Sequence, residues 1–170
     1  MNQEDLVQWI EPDKIERASG PSIKLVKVRA SAPVKGFFVS DAVVGVKTHW
    51  LGGRTKPCFG TVNGCESCAR GESIRAKGYI GVVTSNTMQV YLLEVTEKAF
   101  DAELRLSATS GLRGCYFEAR RTGKADNSGL VIEVFDNKKP AKELPPDIDI
   151  RAVLYRIWFG RETKNRRNET

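Results

Sequence analysis

A chain of 170 residues, 41% hydrophobic and 28% charged, is long enough for one domain with its own hydrophobic core, burying roughly 70% of its unfolded surface. The net charge of +6 and a pI near 9.2 admit a polyanionic partner without requiring one. No run approaches the ~20 apolar residues of a membrane-spanning helix, and the acidic opening MNQEDLVQWIEPDKIERASG lacks a signal peptide's apolar stretch, which predicts a cytoplasmic protein with no membrane partner.

In chain order, residues 2–10 predict a short helix with Leu6, Trp9 and Ile10 on one side, within an N-terminal arm over 1–20. A β-rich body over 21–160 follows. Ile23, Leu25, Val26 and Val28 interleave with Lys24, Lys27 and Arg29 as a strand, and VKGFFVSDAVVGV (34–46) reads as one or two more, broken near Ser40 and Asp41. The segment His49 to Cys68 is rich in Gly, Thr and Asn and is expected to be an inserted loop, within 47–71. Gly78–Thr84 and Met88–Val95 predict a hairpin, and Thr96 caps a predicted helix from Glu97 to about Leu106, stopped by Gly111. A second hairpin joins 115–119 to LVIEVF (130–135). After a Lys- and Pro-rich linker, Ile150, Val153, Leu154, Ile157 and Trp158 repeat at helical spacing over 149–159, with Gly160 as its cap. Residues 161–170 form a basic tail. The fold expected is mainly β with flanking helices (α+β), an OB-like five-stranded barrel carrying the inserted loop.

The inserted segment holds the sharpest pattern, His49-x8-Cys58-x6-Cys65-x2-Cys68. A Cys-x2-Cys turn directs two sulfurs at one ion, Gly64 and Gly71 allow the tight backbone around it, and Pro57 stiffens the approach of Cys58. One imidazole and three thiolates match zinc's tetrahedral, borderline-soft preference, so one structural Zn2+ is the expected cofactor. Thiolates also suit an iron–sulfur cluster, of which zinc is the simpler alternative. Cys115, alone on an apolar strand, reads as core.

Catalysis is not expected. Four protein ligands close the coordination sphere, and three thiolates with a neutral imidazole leave the zinc centre near −1, a poor Lewis acid. The nucleobase-deaminase pattern fails, because Leu51 stands where its Glu belongs and Pro57-Cys58 runs on into Phe59, Gly60 and Thr61. The single histidine leaves none for a Ser-His-Asp or Cys-His apparatus, and no phosphate-cradling glycine motif occurs. Glu94, Asp101, Glu118 and Glu133 carry no recognisable metal spacing.

Basic and aromatic residues interleave in two places. Around the metal segment lie Trp50, Arg54, Lys56, Phe59, Arg75, Lys77 and Tyr79; on the later hairpin lie Arg113, Tyr116, Arg120, Arg121 and Lys124. Such a mixture holds single strands, with stacking worth roughly 1–3 kcal/mol per base. A basic β domain interrupted by His49, Cys58, Cys65 and Cys68 in that order resembles the helix-destabilising, single-stranded-DNA-binding proteins of T-even bacteriophages. That resemblance implies an OB fold with a zinc subdomain, single-stranded DNA as partner in preference to RNA, and work in DNA replication, recombination or repair with the proteins of those pathways. The acidic start and basic end reverse that family's arrangement, so the resemblance implies neither cooperative filaments nor tail-mediated recruitment. The alternative is a zinc-containing protein-interaction module or accessory subunit of a nucleic-acid-processing complex, RNA included.

Overall fold

The computed structural model describes residues 7–9, 23–61, 63–85, 87–99 and 111–159, the first three through their backbone alone. Its elements are β1 (Val7–Trp9), β2 (Lys24–Lys27), β3 (Val34–Phe38), β4 (Val43–Leu51), β5 (Arg54–Pro57), α1 (Glu66–Ala69), β6 (Arg75–Thr84), β7 (Val90–Thr96), α2 (Glu97–Ala99), β8 (Tyr116–Arg121), β9 (Leu130–Phe135) and α3 (Ile150–Phe159). The protein is mainly β with a few helices, and among the described residues the sheet does not close. Among the described residues no helix is long and apolar enough to cross a membrane.

The sheet is organised on β6. Its first half pairs antiparallel with β4, from Arg75↔Thr48 to Tyr79↔Val44, and its end pairs with β3, from Val82↔Phe38 to Thr84↔Gly36. Its other edge pairs with β7 along Lys77 to Val83. Where β3 takes over from β4, the β3 and β6 backbones come so close that a Cβ on Gly36 would run into the Val83 carbonyl oxygen. Only glycine fits there. β7 also receives β2 in parallel, β4 receives β1 in parallel and β5 antiparallel, and β8 and β9 continue outward from β3.

Both faces of this sheet are covered at β6 and β7. Ile80, Val82, Leu93 and Val95 turn to one core with Phe38, Phe117 and Ile132, while Tyr79, Leu92, Val44 and Val46 turn to another, where α3 contributes Ile150 and Leu154. Burial on both sides is why β6 and β7 read as nearly unbroken apolar runs rather than alternations.

Two expectations are corrected. Val7–Trp9 form an edge strand on β4 rather than part of a helix, because three residues rich in β-branched and aromatic side chains find backbone partners at Val43, Val44 and Gly45. The rest of the expected helix, the 10–20 arm, the helix beyond Ala99, Gly160 and the tail lie outside the described residues. The metal segment is also not a loop throughout: His49 lies near the end of the nine-residue β4, which turns at Gly52-Gly53 into β5. The hairpin over β6 and β7, that over β8 and β9, and the final helix stand where the sequence places them.

Candidate metal centre

The β4–β5 hairpin and the turn after it assemble the site. Cross-strand pairing sets His49 opposite Lys56, and a further bond from the Cys58 amide to the Lys47 carbonyl (2.8 Å) extends the ladder so that Cys58 leaves it facing inward. The chain then folds back. Cys65 N–H donates to the Gly60 carbonyl (3.1 Å), and Gly64 and Gly71, at φ +73° and +71°, reverse the backbone on either side of α1. Cys65 immediately precedes α1 and Cys68 lies within it.

His49 Nε2 lies 3.6 Å from Cys65 Sγ and 3.4 Å from Cys68 Sγ, and Cys58 Sγ lies 3.4 Å from Cys68 Sγ. All four ligand atoms fall within 4.8 Å of one another. A tetrahedral ion ~2.3 Å from each sulfur and ~2.0 Å from nitrogen sets its ligands roughly 3.5–3.8 Å apart, so the spacing fits. His49 is 1% exposed, and its Nδ1–H donates to the Ser73 carbonyl (3.2 Å), which leaves the Nε2 lone pair turned to the sulfurs. Burial works to raise the Cys65 thiol, but the backbone N–H groups of Cys68 and Phe59, the Cys68 thiol and the Ser67 N–H together outweigh it and bring it down to about 6. Cys68 is pushed up to about 12, first by its hydrogen bond with Cys58 and then by burial. Neighbouring thiols hold a proton between them; a divalent cation is what replaces it. The arrangement places four protein donors where they could hold a single metal ion. Cys115 stays apart, packed against the first core, its thiol raised by burial.

The hairpin also forms one wall of a cleft of about 740 Å3, with α3 opposite. Arg54, Lys56 and Phe59 line it, and the Phe59 ring lies 6.2 Å from Phe159 of α3. Trp50 is 52% exposed, with Lys27 Nζ 5.6 Å from its ring centre. Arg75 is exposed on β6, while Lys77 is half-buried and bonded to Glu94 (3.2 Å).

Three candidates for binding are engaged within the fold. Tyr79 is 1% exposed, edge-on to Trp158 at 5.9 Å, and its hydroxyl donates to Glu94 (3.3 Å), so it has no face for a base. Arg113 donates to the Val39 and Pro145 carbonyls, and Arg121 to those of Val28 (2.9 Å) and Ser128 (2.8 Å); both guanidiniums tie down backbone. Arg120 and Lys124 are exposed, Arg120 lying 3.6 Å from Glu133, and Tyr116 is half-buried under Lys138. Because β6 and β3 stand between β4 and β8, the later hairpin does not share the cleft.

Sequence reasoning missed Lys27, Glu94 and the α3 wall. Lys27 reaches the cleft through the parallel pairing of β2 with β7, which no local pattern announces. Glu94 did leave a signal: one carboxylate inside the apolar run Tyr91-Leu92-Leu93-Glu94-Val95. No family model, curated protein or solved structure matches the chain.

Proposed function

We propose that this chain is a zinc-stabilised protein that binds single-stranded DNA without a strict sequence requirement, acting in replication, recombination or repair in the cytoplasm, and that it is not an enzyme. The observation that carries the reading is the cleft beside the metal centre. Lys27, Arg54, Lys56 and Arg70 face it against Glu66 and Glu94, with Phe59, Trp158 and Phe159 among its walls. Cations for phosphate and ring faces for unstacked bases are what a single strand needs, and the metal holds rigid the segment that carries Arg54, Lys56, Phe59 and Arg70. A sphere closed by one imidazole and three thiolates favours zinc over redox-active iron. The same reading takes the sheet, with β6 shared between β4 and β3, as a partly open OB-type barrel.

Mobility shifts with single- and double-stranded oligonucleotides at two salt concentrations test this. Single strands should bind more tightly than duplex and weaken steeply with salt, and Arg54→Ala should flatten the salt slope by about one phosphate contact. No shift at low salt removes the reading.

A second reading, a protein-interaction module, is favoured by the outer face of β3, β8 and β9. Phe37, Tyr116 and Phe135 stand there on one cross-strand rung. The charges beside them are paired within the face, Lys35 with Glu118 at 2.8 Å and Arg120 with Glu133 at 3.6 Å, which suits a protein partner better than a polyanion.

A further inference from the structure

Glu94 is 9% exposed, yet it lines the cleft. A buried carboxylate opposes phosphate and stabilises the core less than an apolar residue would, so its presence in a strand-binding cleft calls for a cause. Its partners leave it incompletely used. Lys77 Nζ donates to Oε1 (3.2 Å) and the Tyr79 hydroxyl to Oε2 (3.3 Å). Lys27 Nζ stands 3.8 Å from Oε1, beyond hydrogen-bond length, with its other side over the Trp50 ring. An ionised carboxylate offers about four acceptor positions, and two are taken by these hydrogen bonds. The Lys27 side chain is 45% exposed, the loosest of the three neighbours and the one at the solvent side.

Resting on the single-strand reading above, we propose that Glu94 is a specificity-determining residue that gives the cleft a graded preference for cytosine over thymine. Its remaining acceptor capacity takes the exocyclic amino group that cytosine presents, and thymine sets a carbonyl oxygen in that place, which a carboxylate repels. Lys27, drawn off Glu94 as the base enters, turns to the adjoining phosphate. Lys77 and Tyr79 hold the carboxylate fixed in direction throughout.

The test is competition of oligo(dC) and oligo(dT), equal in length and both pyrimidine, against a labelled mixed-sequence strand, read by anisotropy. Wild-type protein should favour oligo(dC) by roughly tenfold, the scale of one base-edge contact. Glu94→Gln, nearly the same shape, should bring the ratio within about twofold, because an amide donates to the thymine oxygen as readily as it accepts from the cytosine amine. Lys27→Ala should lower the salt slope by about one for both oligomers and leave their ratio unchanged. Equal affinities in the wild type overturn the proposal, as does a ratio that survives in Glu94→Gln. If that variant does not fold, the wild-type ratio and Lys27→Ala decide. Tight binding of both homopolymers without discrimination overturns Glu94's role alone; no binding of any strand overturns the single-strand reading with it.

Discussion

Ser73 supplies only a carbonyl oxygen to the metal centre, yet that oxygen decides which nitrogen of His49 carries the proton and which is left to bind. The cysteines depend on one another in the same way, since Cys68 Sγ is within 3.4 Å of both Cys58 Sγ and His49 Nε2. Replacing Cys68 with Ser should therefore abolish stoichiometric metal and lower the melting temperature, given that structural zinc supplies on the order of 10–16 kcal/mol of apparent binding energy in small fingers. An unchanged melting curve and metal content would count against the centre. Elsewhere, Lys35 donates to Glu118, and that hydrogen bond holds the Glu118 carboxyl below its ordinary value while raising Lys35. A depressed carboxyl stabilises the fold above its unfolded pKa and ceases to as pH falls through the folded one. The melting difference between wild type and Glu118→Gln should accordingly be present at neutral pH and vanish in acid, as thermal scans across pH would show. The metal ligands were legible because their chemistry is carried by residue type and spacing. Tyr79, Arg113 and Arg121 were not, because an aromatic or a guanidinium reads alike in sequence whether it faces solvent or ties down a distant carbonyl.

Elements were legible where one face is buried and the turn is close by, as in β8 and β9. The length of β4 was hidden by the Gly, Thr and Asn that follow His49, and β1 by being three residues held only by its neighbour. α3 was plain from its spacing, but not what it packs on. Leu154 is fully buried in the second core with Val44, Tyr79 and Leu92, and α3 forms the cleft's far wall. Leu154→Ala should destabilise the protein by about 2–5 kcal/mol in urea and, on the single-strand reading, weaken strand binding, while metal content stays as in the wild type because every candidate ligand lies outside α3. Loss of the metal in this variant would mean that the helix and the centre are not separable.

At the scale of the whole molecule, two cores share the strands β6 and β7, and the four-residue cluster that could hold a metal ion lies beyond both, across a hairpin that reaches from the sheet. Removing the metal should then leave the body folded. A chelator is expected to lower the melting temperature yet preserve far-ultraviolet dichroism at ambient temperature, with β6 and β7 amides still the slowest to exchange, while protection over residues 49–68 and, on the single-strand reading, strand binding are lost; global unfolding at ambient temperature would show the centre to be part of the core. This division was not readable from the chain, since which strands meet is settled by pairings far apart in sequence.

One of those pairings governs the order in which the molecule can be made. β2 has β7 as its strand partner, in parallel, so Leu25 must wait for Leu92. Closing so long a loop is slow compared with zipping the adjacent β6–β7 hairpin, and during synthesis β2 leaves the ribosome with its docking edge still unmade. Lys27 therefore reaches the rim of the cleft late in folding, and the newborn protein acquires its candidate binding face only after the hairpin beneath it exists.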